Sequence, residues 1–163
     1  MELDVAMTMN PSINETLSDF PVILPILVRF RDLDAMGHVN NAVYLTYFEM
    51  ARVAYHRAVP DVQPFDFTNF DFILAEVTCS YRSPAYMGET LLVGIRVSSV
   101  GRKSFVFEYE MRDQASGRLV AEGRSVQVMY NYEERRSKPV TNEFLAKVEA
   151  LQGHPVQRET AEA

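Results

Sequence analysis

The spacing of apolar and polar residues changes period along the chain, and each change marks an element. Residues 1–19 mix Met, Asn, Ser, Thr and acids with no sustained period, so residues 1–20 read as a flexible N-terminal leader, with partial docking left open. From Val22 to Arg31 the chain is apolar and β-branched but interrupted by Pro25. A proline cannot donate to a ladder, so this run fits a strand start or an edge strand. Past the Asp32–Asn41 loop the period becomes helical. Val43, Tyr47, Met50, Ala51, Ala54 and Ala58 recur at three and four, as do Tyr44, Phe48, Ala51 and Tyr55. That pattern predicts a long helix, wide-faced and mostly buried. Asn40 or Asn41 can cap its start, and Pro60 marks its stop.

Between about Phe72 and Tyr132 the period falls to two. Val77, Cys79 and Tyr81 alternate with Thr78, Ser80 and Arg82; Val93, Ile95 and Val97 with Gly94, Arg96 and Ser98; Phe105, Phe107, Tyr109 and Met111 with Val106, Glu108 and Glu110. A fourth, less strict run extends from Leu119 to Tyr130, and turns are expected at Ser83–Gly88, Val100–Lys103 and Asp113–Gly117. Short links between long strands make antiparallel neighbours. Asn142 to Leu151 fits a short helix before a polar tail. A sheet with one apolar face must be covered, and the one long helix is the available cover. The prediction is an α+β fold in which an antiparallel sheet wraps around a central helix, in the order β-α-β-β-β-β. Residues 21–135 form that domain and residues 136–163 a short helix with a polar tail; no internal repeat, low-complexity tract or linker is evident.

Composition narrows the function classes. The chain has 163 residues, enough for one ordinary domain with a real core, and its 47% hydrophobic and 23% charged residues are those of a soluble globular protein. A net charge of −6 argues against a nucleic-acid surface, which needs clustered Lys and Arg. A single cysteine, Cys79, makes no internal disulfide and no multi-cysteine zinc site, so a reducing cytoplasm is the simplest location. No apolar run reaches membrane-spanning length, and Glu2 and Asp4 argue against a signal peptide.

The candidate chemistry lies between Arg31 and Arg52. Asp32-x-Asp34-x-x-Gly37 opens like a calcium loop, but the fifth and twelfth ligand positions hold Met36 and Val43. A transition-metal set of Asp32, Asp34 and His38 lacks a further nearby His or Cys. There is no Gly-x-Ser-x-Gly elbow and no phosphate-binding glycine loop; His56 and His154 fall in helix and tail. Cys79, on a strand among aliphatic neighbours, reads as a structural thiol. What remains is a carboxylate just before a helix N-terminus. The helix start offers N–H donors for a developing oxyanion, and the carboxylate can attack a carbonyl or activate water, a pairing suited to acyl transfer from an activated ester. Spacing alone reads as well, and more simply, as aspartates capping turns.

Asp34-Ala-Met-Gly-His-Val-Asn-Asn-x-x-Tyr44, with Glu49 on the following helix, resembles the signature of hotdog-fold acyl-CoA thioesterases of the 4-hydroxybenzoyl-CoA thioesterase class. The strand order is similar from about Pro21 to Tyr132. The resemblance implies a five-stranded hotdog sheet and a catalytic carboxylate at Asp34, acting as nucleophile through a mixed anhydride or as general base for water. It implies a carbonyl-polarising backbone N–H near Asn41, with His38 and Asn40 as second-line groups that order water or the acyl group. The His-Val-Asn-Asn segment is also similar to plant fatty acyl–carrier-protein thioesterases, but Met36 stands where their first active-site Asn falls, which weakens a direct role for His38. Glu49, three residues before Arg52, is either a surface ion pair or a buried carboxylate bonded to the motif loop; related subfamilies place the catalytic acid on the helix, making it the reserve candidate.

The resemblance also implies substrate-binding candidates, namely Tyr44 of the motif, Arg82, and the basic turn Arg102, Lys103 and Ser104, which in similar proteins often lies near the CoA pantetheine and phosphates. Arg102 and Lys103 read equally as a solvated hairpin tip. The implied substrate is acyl-CoA or acyl-carrier protein, with no cofactor or metal, and the implied assembly is a homodimer or homotetramer with sites at the interface. Two rival readings remain open: a carrier-protein thioesterase, and a non-catalytic acyl-thioester-binding hotdog protein.

Overall fold

The computed structural model describes residues 11–60 and 71–160. Its elements are α1 (Pro11–Thr16), β1 (Val22–Leu27), α2 (Asn41–Ala58), β2 (Phe72–Tyr81), β3 (Thr90–Val100), β4 (Ser104–Asp113), β5 (Leu119–Asn131), β6 (Arg136–Ser137), α3 (Asn142–Gln152) and β7 (Gln157–Arg158). Five long strands form an antiparallel sheet in the order β1-β3-β4-β5-β2. This is the α+β hotdog arrangement expected from the sequence. The two-residue strands β6 and β7, paired to β5 and β3, were not legible in the hydrophobic pattern because two residues carry no period.

β1 sits at one edge, as Pro25 requires, but it ends at Leu27; the expected continuation to Arg31 instead turns into a 3-10 segment, Phe30–Asp32. α2 lies on the sheet through Tyr44, Tyr47, Phe48, Ala51 and Tyr55. Its buried stripe is narrower than the sequence suggested: Met50 is 40% exposed, and Ala58 is exposed too. One sheet covers one side of a helix, so among the described residues Met50 and Ala58 fall outside the covered stripe while Tyr47 and Ala51 of the same row lie within it. The Phe48 ring stacks on Tyr109 with centroids 4.2 Å apart and lies directly over Gly123, where a Cβ would collide with it.

The outer face of β3 is covered as well. α1 buries Ile13 and Leu17 against Leu92, and Phe20 sits on Gly94, 2.7 Å from the place of a Cβ. Thus Leu91 to Ile95 are buried on both faces. Of the segment read as a leader, residues 11–20 are docked here by a helix too short to show a period, while residues 1–10 lie outside the described residues. No helix among the described residues is long and apolar enough to cross a membrane.

Candidate active site

Backbone bonds tie the Asp32–Asn41 loop and the end of β1 to the connection between β2 and β3. Val28 N–H donates to Glu89 O (2.9 Å), Val39 N–H to Ala85 O (2.9 Å), and Asn40 N–H to Asp32 O (2.9 Å). Within the loop, Asp34 N–H donates to His38 O (3.0 Å) and Gly37 N–H to Asp34 O (3.1 Å), a tight turn closed by Gly37 at φ +82°. That positive φ is what the glycine supplies. One oxygen of Asp34, Oδ1, accepts from Met36 N–H at 2.8 Å; Oδ2 lies 3.8 Å from His38 Nδ1, too long for a hydrogen bond. Nδ1 itself lies 3.3 Å from Val39 O. Among the described residues Asp34 therefore keeps one oxygen free of hydrogen bonds, on a side chain 19% exposed.

Asp32 is the reverse case. Its side chain is 4% exposed, and both oxygens are occupied: Oδ2 accepts from Arg29 N–H (2.9 Å), Arg29 Nε (3.1 Å) and Tyr47 OH (3.0 Å), and Oδ1 accepts from an Arg29 terminal nitrogen (3.0 Å). Burial alone would raise its pKa, but the Arg29 and Tyr47 bonds outweigh that and hold it below the usual carboxylate value. Tyr47 is pushed the other way, first by burial and then by the Asp32 anion.

α2 begins beside Asp34. Asn40 is its N-cap, with its side chain accepting from Ala42 N–H at 2.9 Å, while Val43 N–H donates to Asn40 O. Among the described residues nothing accepts from the Asn41 N–H. It is the open donor of the first turn. Asp34, His38, Asn41, Tyr44, Tyr81 and Arg82 line one open cavity of about 570 Å³. Tyr81 OH donates to Asn41 O (3.0 Å), and its ring packs edge-on against Tyr44, centroids 5.1 Å apart. Burial pushes the Tyr44 hydroxyl up to about 12, so it stays a neutral donor. Cys79 is likewise pushed up by burial and stays a thiol.

The remaining predicted residues divide. Arg82 is on the cavity wall, paired with Glu122 at 2.9 Å. Glu49 matches neither expectation: it is exposed, and Arg52 reaches across the core to donate to Tyr109 OH at 3.2 Å instead of pairing with it. Arg102, Lys103 and Ser104 are at the other end of the sheet, lining a separate basin of about 880 Å³ with Gln157 and Arg158. The eleven residues of β3 stand between them and the Asp34 loop, roughly 30 Å at strand rise. Within one chain they are not brought to Asp34. Among the described residues, no three His, Cys, Asp or Glu side chains converge as a metal site.

Sequence reasoning missed three contributors. Tyr81 looked like an ordinary strand residue, although its place at the end of β2 puts it over the helix start. Arg118 clamps the wall loop by donating to Ser83 Oγ, Pro84 O and both Glu89 oxygens. No local signal marks it. Tyr47 was read only as core, and its hydroxyl finds a partner fifteen residues away.

Residues 28–148 match the sequence model of the thioesterase-like superfamily. The chain is 25% identical over 126 residues to the long-chain acyl-CoA thioesterase FadM of Escherichia coli, covering 77% of this chain and 96% of that one. A thioesterase from Thermus thermophilus, solved in complex with coenzyme A and zinc, aligns at TM-score 0.76 and 34% identity over 85% of this chain and 98% of its own. A thioesterase-superfamily structure from Jannaschia sp. CCS1 aligns at TM-score 0.74 and 28% identity, covering 92% and 97%.

Proposed function

The chain belongs to the thioesterase-like superfamily, and we propose that it hydrolyses acyl-CoA to a free carboxylic acid and CoA. The observation that carries this reading is the juxtaposition, on one cavity wall, of a half-committed carboxylate and an unpaired helix-start donor. In this account the thioester carbonyl oxygen takes the Asn41 N–H, which holds the negative charge that develops as the carbonyl is attacked. Asp34 Oδ2 either attacks the carbonyl carbon or takes a proton from water. In the first route the C–S bond breaks, CoA leaves as thiolate and takes a proton, and water then cleaves the mixed anhydride. In the second, water gives its proton to Asp34 and forms the new C–O bond, the C–S bond breaks, and the proton passes to the departing CoA thiolate. Met36 N–H holds Oδ1 and so aims Oδ2. His38 and Asn40 remain ordering groups, Glu49 the reserve acid, and Tyr44 and Arg82 the near wall.

CoA is favoured over an acidic carrier protein, whose approach a chain of net charge −6 opposes unless the basic patch around Arg82, Arg102 and Lys103 offsets it. Relatives point the same way, one acting on long-chain acyl-CoA and one holding coenzyme A. The far basic residues join the site if two copies pair along β2. Among the described residues that strand is an edge with no second neighbour, and Ile73 (37%), Leu74 (46%) and Tyr81 (50%) are exposed on it. Antiparallel pairing of β2 with a second β2 sets Tyr81 of one copy near Phe72 of the other. Phe72 pairs with Met129, whose N–H donates to Lys103 O, so Arg102, Lys103 and Ser104 of the second copy approach the first copy's cavity. Homodimerisation thereby supplies the cations for CoA phosphates.

The test is release of free thiol from short, long and aromatic acyl-CoAs, beside matched acyl-carrier protein. Turnover on at least one acyl-CoA, exceeding that on the matched carrier, supports the reading. Faster turnover on the carrier transfers the activity to that substrate, and binding without any hydrolysis leaves a non-catalytic acyl-thioester-binding protein.

A further inference from the structure

We infer that Asp32, the first acid of the Asp-x-Asp pair, is a positioning residue that fixes the Asp34 carboxylate relative to the Asn41 N–H. The inference rests on the hydrolytic reading above and deepens it.

A turn-capping aspartate needs only a neighbouring N–H. Asp32 instead ties three elements together. Its carboxylate takes the backbone and guanidinium of Arg29 at the exit of β1, and it takes Tyr47 OH from the second turn of α2. Its own carbonyl takes Asn40 N–H, one residue before the open donor of Asn41. Asp34 follows two residues later. The proposed nucleophile or base and the proposed oxyanion donor are thus referred to the same joint, one along the loop and one along the helix.

The chemistry of the joint calls for an acid. Four donors point at two oxygens, three of them at Oδ2, and a carboxylate accepts from all of them without offering a donor in return. An asparagine of the same shape would turn an NH₂ toward at least one N–H or O–H and push that element away. A buried carboxylate with both oxygens bonded and a side chain 4% exposed is closed to substrate, so Asp32 acts through Asp34 and Asn41. The two acids of one motif divide the work by environment: Asp32 is buried with both oxygens bonded, while Asp34 has a bond on Oδ1 alone among the described residues.

The test uses the full chain and purified variants Asp32→Asn, Tyr47→Phe and the double variant. Steady-state thioester hydrolysis is measured well below each variant's thermal midpoint, so that all are folded in the assay. Asp32→Asn is expected to lower kcat by about 30- to 100-fold with KM changed less than about threefold, the scale of a sub-ångström misplacement of reacting groups. Tyr47→Phe, which removes one strut and keeps the ring, is expected to lower kcat by about three- to tenfold. The double variant should be no worse than Asp32→Asn, because both changes break one joint. A folded Asp32→Asn protein with kcat within about twofold of native, whatever its thermal midpoint, overturns the inference and leaves Asp32 structural. So does a loss confined to KM. If Asp32→Asn does not fold, Tyr47→Phe carries the test, and an unchanged kcat there overturns it equally. Native protein that hydrolyses no thioester overturns the hydrolytic reading, and this inference with it. Loss of activity in Asp34→Asn alongside full activity in Asp32→Asn sinks only the inference.

Discussion

At the N-terminal end of α2, most backbone donors from Asp32 to Val43 are used by short local bonds, and the Asn41 N–H is left open beside a carboxylate. At the C-terminal end the arrangement is looser and of opposite charge. Arg102, Lys103 and Arg158, with the acid Glu159 among them, line a wide basin, and Lys103 donates to Ser137 Oγ at 3.1 Å. The first end has the hallmarks of reaction geometry, where a small displacement matters. The second suits a diffuse anion held by charge, where position matters less. A single chain keeps the two roughly 30 Å apart. The free β2 edge is the element that would bring them together. β1, the other edge, is six residues long and carries Pro25, two features that discourage pairing. β2 has ten residues and neither protection.

The largest expected effect comes from separating the two ends. Leu74→Lys places a charge on the exposed edge, and two such edges repel. Light scattering should then report monomer, and thioester hydrolysis should fall by at least about 50-fold, since each site loses its second wall. A fully active monomer would show that one chain's N-terminal end suffices. A smaller effect is expected from removing the cations alone. Arg102→Ala with Lys103→Ala should raise KM for acyl-CoA about tenfold and leave kcat within about twofold. The native enzyme's KM should also rise with salt more steeply than the variant's, as screening of surface charge requires.

The smallest effect is one of pH, and it distinguishes the ends by stability. His56, near Phe72 at the far end, has its pKa lowered by burial. Its stabilising contribution is full above the unfolded value of 6.5 and declines as pH falls below it. Asp32 has its pKa lowered by Arg29 and Tyr47 against the opposing effect of burial, so its contribution persists until pH drops below 3.8 and fades from there. Amide exchange corrected for intrinsic rates should therefore quicken at Met129 and Phe72 as pH falls below 6.5, while Asn40 and Val43 hold until the carboxylate range. Simultaneous loosening of both ends would contradict this division.

Much of the architecture was readable because period is a local property. Tyr44, Phe48, Ala51 and Tyr55 announce the helix, the alternation around Phe105 to Met111 announces a strand, and Asn40 and Pro60 bound α2. Elements too short to show a period were not: α1 and β7 follow from contacts with Leu92 and Ser99, far away in sequence, and β6 is a two-residue hairpin arm against Tyr130 and Asn131. Width of burial was misjudged for the same reason, since Met50 differs from Phe48 only in which side of the helix the sheet lies. In the candidate site, the loop residues Asp34, His38, Asn41 and Tyr44 were legible as a cluster because they are neighbours in sequence, and one cavity does collect them. Tyr81 and Arg118 come from distant strands and had no signal. The distance between Arg102 and Asp34 is set by the register of β3 against its neighbours, and spacing along the chain does not encode it.

The most direct test of the account compares native protein with Asp34→Asn in thiol release from the best acyl-CoA of the panel, with folding of the variant checked by its thermal midpoint. Asparagine keeps an acceptor for Met36 N–H but lacks the basic, nucleophilic oxygen. The account predicts turnover by the native chain and a loss of at least about 100-fold in the variant, the scale of general-base or nucleophile removal. A folded Asp34→Asn protein that retains full activity would contradict it and transfer the reacting carboxylate elsewhere, with Glu49 the next residue to replace.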